Sequence, residues 1–560
     1  MSESMPAEKR SGFPTVFWLV ILFEFFERGS YYGMMSVLSV YLTDILNISK
    51  ENVGLIKGTI QPILYFLPII SGALADRFGY RKVLIIAFTL LGGGYMLTSR
   101  MTSYTAVFLA LCVMALGAGA FKPVISGSIA RVTDKSNSTL GFGIYYWSIN
   151  LGAFLFPLFL VPWLKTVPSQ PPWQWVIIAA AIGTGVMIIP TLLFYKEPPK
   201  PGDKRKDRER AIKLTQTLAD AFEIIYSPFI LLFRAAGKSG VMKTVIYGTA
   251  GLLGLYTVYR FAWGGPFLLF FVMFLFWGSQ LIMALQPASF CKSSASRMII
   301  SLALVGVLWL IPGLSLYARL VSSVITFTLN ALFLIDRSDQ QKFRDHFRFL
   351  LLIFIYSGFW VLYFQMFDSV LWYVRDYVDA AGLDSSVNAL LGRLGISYQW
   401  HFDIEHVTVI NAGTIILLQL LVSTIVRKRK ALPTMMAGIL MGTLGMAILA
   451  VNTNIWVFMA GIVIFSVGEM TAHPKFISYV GQTAPRDRVA TYMGYIFLYG
   501  VIGASIGAPL GANLYVHFVD NLNQPRTLWL IFSGIGVLTL AAIALYNRFL
   551  TPHSEKAEGI

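Results

Sequence analysis

Glu24, Glu27 and Arg28 are ionisable residues inside the first long apolar run of the chain, and Tyr31 and Tyr32 follow them. A charge at the centre of a bilayer costs about 2.5–3.5 kcal/mol on insertion scales, so such groups turn towards protein or a watery cavity rather than lipid. These five residues fall at i, i+3, i+4, i+7 and i+8, which predicts one helical face directed inward. Two chemistries fit that face: a structural ion pair locking helix packing, or a site that handles protons and an anion. Arg28 suits the second, because a guanidinium gives a planar carboxylate two parallel hydrogen bonds. Lys122, in the apolar run 104–130, and Glu469, in the run 455–481, are single charges without a local partner and raise the same question. Glu469 is read as the only acid inside the apolar core of the second half of the chain.

The elements that must position these residues follow from composition. Of 560 residues, 56% are hydrophobic and 13% charged, whereas soluble domains carry about a quarter charged residues. The chain therefore reads as an all-α polytopic membrane protein. Its net charge of +16 comes from Lys and Arg in short blocks between apolar runs, which fits the inner-leaflet bias of membrane proteins and not nucleic-acid binding. Cys112 and Cys291 supply no disulfide framework, and the six His have no metal-ligand spacing, so neither a metal nor a cofactor is expected. The opening residues carry charges of both signs and the following apolar run lacks a small-residue cleavage site, so a removable signal peptide is not expected.

Apolar runs of spanning length lie at about 14–42, 53–75, 83–99, 104–130, 141–164 and 173–195, and a second set at about 350–373, 406–426, 432–451, 455–481, 489–516 and 527–548. Basic residues alternate between the loops and place the amino terminus in the cytoplasm. The predicted organisation is a six-helix bundle over 1–195, a basic cytoplasmic linker with inserted helices over 196–349, a second six-helix bundle over 350–550 and a cytoplasmic tail over 551–560. The insertion should hold an even number of crossings, two to four. Two halves of six spans joined by a basic linker are the layout of transporters that bind substrate at the midplane and rock around it.

The loop after the second span contains Gly72, Asp76, Arg77, Gly79, Arg81 and Lys82. It resembles the G-x-x-x-D-R-x-G-x-R/K-R/K motif of the major facilitator superfamily, where the motif is a conformational latch on the cytoplasmic face. The stretch from Glu24 to Gly33 resembles the first helix of the proton-dependent oligopeptide transporter family within it. Gly117, Gly119, Lys122 and Pro123 are similar to that family's fourth-helix signature, and Phe142 to Gly152 to its fifth. Trp360 and Gln365 match the seventh helix, and Gly468, Glu469 and Pro474 the tenth. The resemblance spans both halves and omits most of 196–349.

The resemblance implies a major facilitator fold and proton-coupled import of di- and tripeptides. Glu24, Glu27, Arg28 and Lys122 would form the proton-coupling set. Tyr31, Tyr32, Tyr65, Asn150 and Asn411 match positions that line the family's peptide pocket, beside Arg28 and Lys122, and Glu469 matches the acid that meets a peptide's amino terminus. The partners implied are a small peptide, protons and the lipid bilayer of the plasma membrane, with both termini cytoplasmic. Several positions depart from the pattern. Met35 and Phe364 replace an expected outer gate pair, Val124 follows Lys122-Pro123 where Asn is usual, Ala412 follows Asn411 where Pro is usual, and His473 stands where Ser is usual.

Glu24, Glu27, Arg28 and Lys122 sum to zero charge, so an empty site can hold all four ionised. A substrate carboxylate that pairs with the two cations leaves one Glu without a partner, and that Glu takes a proton. Other readings stay open: uptake of nitrate or a modified amino acid, or a membrane sensor that only binds. A polytopic enzyme is disfavoured, because no set of nucleophile, base and orienting residue is visible.

Overall fold

The computed structural model describes residues 12–133, 137–198, 337–484 and 489–551. It divides into two compact units, Met1–Lys213 with Tyr356–Leu540, and Leu214–Ile355 with Ala541–Ile560. The candidate site lies wholly in the first unit. The second contributes, among the described residues, the start of one helix and the end of another. The inserted helices expected within 196–349 fall almost entirely outside the described residues, as does most of the expected tail.

The first half contains α1 (Thr15–Val40), α2 (Lys50–Phe78), α3 (Tyr80–Arg100), α4 (Tyr104–Val132), α5 (Ser138–Leu155), α6 (Val161–Thr166), α7 (Gln174–Gly185) and α8 (Ile188–Leu193). The second contains α9 (Arg337–Phe364), α10 (Ser369–Tyr377), α11 (Ala381–Arg393), α12 (His406–Val426), α13 (Ala431–Leu449), α14 (Ile455–Thr483), α15 (Val489–Tyr495), α16 (Leu498–Tyr515) and α17 (Pro525–Phe549). Among the described residues, eleven helical stretches are long and apolar enough to cross a membrane. Helix α1 is not among them, because Glu24, Glu27 and Arg28 interrupt its apolar length. With α1, the spans among the described residues number six in each half.

Local chemistry sets the helix limits. Ser49 caps α2 by accepting from the Asn52 backbone N–H at 3.3 Å, and Asn454 caps α14 by accepting from that of Trp456 at 2.9 Å. Gly79 adopts φ +96°, a conformation that L side chains avoid, and so permits the abrupt turn from α2 into α3. Gly468 has a different role from a helix break, because α14 runs unbroken past it and past Pro474. A Cβ at Gly468 would lie 2.5 Å from the Gly438 carbonyl oxygen and 2.6 Å from the Gly442 nitrogen, so its lack of a side chain lets α14 cross α13 closely.

The halves meet along α2 with α16 and along α5 with α12. Ion pairs tie them together at the end expected to be outer. Lys57 Nζ lies 2.6 Å from Asp368 Oδ1, and Lys50 Nζ lies 2.6 Å from Asp520 Oδ1. Arg375 pairs with Asp44, and Lys165 pairs with Asp403 and, at 2.9 Å, with Glu405 Oε2. The expected loop 374–404 is built rather than irregular, since it contains the end of α10 and all of α11.

Candidate functional site

Helix α1 buries Glu24, Glu27 and Arg28 nearly completely, as the inward face requires. Arg28 Nε donates to Glu27 Oε2 and lies 3.3 Å from Glu24 Oε1. The guanidinium stands 5.3 Å from the centre of the Tyr31 ring. Arg28 Nη2, Glu24 Oε2 and Glu27 Oε1 are buried and make no hydrogen bond to the described residues. One donor of the arginine fork is therefore uncommitted, and each glutamate keeps an uncommitted acceptor.

Lys122 comes from α4, and its ammonium sits 4.5 Å from the centre of the Tyr65 ring, where the π face attracts a cation. No carboxylate among the described residues lies within ion-pairing distance of it, although Arg28, Glu27 and Glu24 are within electrostatic reach. The four charges of the predicted set thus share one neighbourhood, with Arg28 directly paired and Lys122 held by a ring.

Tyr31 and Gln61 share a hydrogen bond, with Gln61 Nε2 2.7 Å and Oε1 3.0 Å from the tyrosine oxygen. Gln61 was invisible to sequence reasoning, since a single amide in an apolar run resembles many others. Tyr32 packs beside Phe367 and lies within electrostatic reach of Arg28 on one half and of Glu469 on the other. Tyr65 meets Trp360, Phe364 and Tyr499 of the second half at ring distances of 6.4, 6.0 and 6.2 Å. Phe364 therefore belongs to an aromatic layer in which Trp360 stacks on Tyr499 at 4.2 Å.

In the second half, Asn411 Nδ2 donates to Ser466 Oγ at 2.8 Å and to Glu469 Oε2 at 3.2 Å. The amide orients the carboxylate, and no cation among the described residues pairs with it. His473 is engaged elsewhere: its Nδ1 lies 3.4 Å from the Tyr356 hydroxyl, and its ring meets Trp360 and Tyr499 edge to face. Asn150 donates to the Tyr146 carbonyl at 2.9 Å, one turn back in α5.

Glu469 is not the only acid in the apolar core of the second half. Asp368, at the bend between α9 and α10, is buried, and its partner Lys57 lies in α2 of the first half. Ser39 Oγ donates to Asp368 Oδ1 at 2.8 Å and stands 2.6 Å from Lys57 Nζ, which also donates to the Phe367 carbonyl. Neither residue stands out in the sequence, because their meeting depends on the two halves coming together.

In the loop between α2 and α3, Glu197 Oε1 accepts from the Tyr80 backbone N–H at 2.9 Å, and Arg81 donates to the Leu192 carbonyl. Gly72 approaches Pro123 of α4. The side chains of Asp76 and Arg77 lie outside the described residues. Among the described residues, no group of His, Cys, Asp and Glu is arranged to hold a metal ion.

Comparison with known proteins locates this arrangement. The Major Facilitator Superfamily model matches residues 18–368 and 349–559. A dipeptide and tripeptide permease A of Serratia proteamaculans (strain 568) is 26% identical over 199 residues, 34% of this chain and 38% of that protein. A permease of the same description from Citrobacter koseri (strain ATCC BAA-895 / CDC 4225-83 / SGSC4696) is 27% identical over 248 residues, 43% of this chain and 48% of that protein. The chain thus matches between about a third and a half of the length of these relatives. A crystal structure of a POT family transporter in complex with 5-aminolevulinic acid superimposes with a TM-score of 0.61 at 18% identity, over 98% of this chain and 99% of that one. At that identity the likeness is one of fold.

Proposed function

Because the chain belongs to the major facilitator superfamily, we propose that it is a symporter that imports di- and tripeptides together with protons by alternating access. The single observation that carries this reading is the division of charge between the halves. Arg28 and Lys122, with two glutamates, stand on the first half, and Glu469, held by Asn411, stands on the second, with Tyr32 within reach of both. That division suits a zwitterion lying across the midplane.

In this mechanism the substrate carboxylate is taken by the uncommitted Nη2 of Arg28 and by Lys122, drawn from above the Tyr65 ring. Arg28 then serves three carboxylates instead of two, and a buried carboxylate without its share of cation is neutralised by a proton. Glu24 and Glu27 are the acceptors, because each keeps an oxygen without a hydrogen bond. The substrate ammonium takes Glu469, while Tyr31, Tyr32, Tyr65, Asn150 and Asn411 surround the body of the peptide. Proton and substrate binding are thereby linked, and a membrane potential worth about 2.3 kcal/mol per charge per 100 mV favours entry of the charged complex into a negative cell.

The ion pairs at the opposite end from the basic loops support the assignment of this conformation as closed to the outside. Gly72, Asp76, Arg77, Gly79 and Arg81 would then form the cytoplasmic latch, with both termini on the cytoplasmic side of the plasma membrane. Lys57 and Asp368 join the halves where Met35 and Phe364 lack charge.

The deciding experiment is uptake of labelled dialanine into proteoliposomes with and without an inward proton gradient. Accumulation only with the gradient is expected, and equal uptake in both conditions would remove proton coupling. A second reading, transport of a smaller zwitterion, is supported by the 5-aminolevulinic acid bound to a protein of the same fold. Competition between that acid and dialanine separates the two.

A further inference from the structure

Helix α11 is amphipathic, and its apolar side is covered at one end only. At 100° per residue, Leu383, Val387, Leu390, Leu391 and Leu394 fall within one face that continues past the carboxyl end of the helix, while Ser385 and Gly392 lie opposite. Leu383 is 9% exposed, whereas Leu390 is 57% and Leu394 66% exposed. A stripe that starts against protein thus runs out uncovered.

The helix cannot roll to hide those leucines. Asp384 Oδ1 accepts from the Phe402 backbone N–H at 2.9 Å and pairs with His401, and the Asn388 side chain bonds both the N–H and the carbonyl of Trp400 at 2.7 and 2.8 Å. The returning segment is therefore fixed along the polar flank. The helix also leaves the bundle at a defined height. Asp379 bridges to Asn454, the cap of α14, and Gly382 lies beside the indole nitrogen of Trp456, a residue half exposed in the first turn of that spanning helix. Tryptophan at the end of a spanning helix marks the boundary between headgroups and acyl chains. The uncovered stripe therefore starts beside the Trp456 end of a spanning helix.

We propose that α11 lies in the headgroup layer of the outer leaflet, with the Leu390 and Leu394 end of its stripe inserted among the acyl chains. The chain between α10, which carries Arg375, and α12, which begins after Glu405, is thereby moored to the bilayer beside the ion pairs that close this end. Interfacial helices bind by this combination of a buried apolar face and a wet polar face. The inference is independent of what the protein carries.

The test uses the full chain in phosphatidylcholine and phosphatidylglycerol liposomes, with Cys112 and Cys291 replaced by Ser. A nitroxide is attached in turn to Leu390→Cys, Leu394→Cys and Ser385→Cys, and its relaxation by oxygen and by a water-soluble nickel chelate is measured. At Leu390 and Leu394, nickel contact about fivefold below that at Ser385, with oxygen contact correspondingly higher, is expected for an inserted face. Equal nickel contact at all three sites would place the stripe in water and overturn the proposal. Low contact with both reagents at Leu390 and Leu394, relieved by diluting the protein in lipid, would show a second copy of the chain covering the stripe and would overturn it as well.

Discussion

Lys57 Nζ and Asp368 Oδ1 lie 2.6 Å apart in the interior, with side chains 1% and 3% exposed, and they join the first half of the molecule to the second. Ser39 touches both. Removing one member of a buried pair leaves an uncompensated charge, at a cost of about 3–5 kcal/mol, whereas replacing both by apolar groups is often neutral. Lys57→Met or Asp368→Leu alone should shift the protein from this closed end towards opening, and the double substitution should restore closure. Distances between nitroxides at Asn47→Cys and Ser397→Cys, both exposed positions, report the change. Identical distances in single and double variants would show that the pair does not hold this end.

A second prediction concerns pH. Glu405 is buried beside Lys165, and burial, with Asp403 nearby, holds its carboxyl above the ordinary range despite the lysine. The sign follows from linkage. A carboxyl raised in the closed form binds a proton more tightly there than when exposed, so its contribution favours closure below the ordinary glutamate range and is lost as pH rises through the raised value. Lys165 and Asp403 face it, and Lys165 pairs with Asp403 as well. Acidifying the outside should therefore favour closure in the wild type, and Glu405→Gln should flatten that response between the same nitroxides. An unchanged pH response in Glu405→Gln assigns the titration to another group.

The proton-coupling set predicts separable defects. Glu24→Gln and Glu27→Gln should each reduce gradient-driven accumulation of dialanine by about tenfold or more while leaving counterflow exchange closer to wild type, because each removes a proton acceptor and keeps the shape. Full accumulation in both variants would leave Arg28 and its two carboxylates as a structural clasp.

Lys122 is held by the face of Tyr65 rather than by a carboxylate, and this predicts a graded series. Lys122→Ala should lose uptake. Tyr65→Phe should retain most affinity, since it keeps the π face, and Tyr65→Leu should weaken binding by about 0.5–2 kcal/mol. Equal affinity for Tyr65→Leu and wild type would mean that the ring does not position the ammonium.

Glu469 predicts recognition of an amine. Acetylating the amino terminus of a dipeptide should weaken binding strongly in the wild type and add little in Glu469→Gln, because the partner is already absent there. Asn411→Ala should resemble a mild form of Glu469→Gln, since it frees the carboxylate that it orients at 3.2 Å. Additive losses from acetylation and mutation would separate Glu469 from the amine.

The sequence alone determined the six-plus-six plan and the inward face of α1, for a shared physical reason. Spanning length, the alternation of basic loops and the 3.6-residue period are local properties, and a charge in an apolar run must face away from lipid whatever its partner. Tertiary structure alone decided the partners. Lys57 and Asp368, or Lys165 and Glu405, meet their counter-charges on the other half, and no local pattern encodes that meeting. Gly468 is a crossing point, and only the approach of α13 reveals which role a helical glycine has. Lys122 shows the same limit: it reads as a single charge without a local partner, and the packing of α2 against α4 sets its ammonium against the Tyr65 ring.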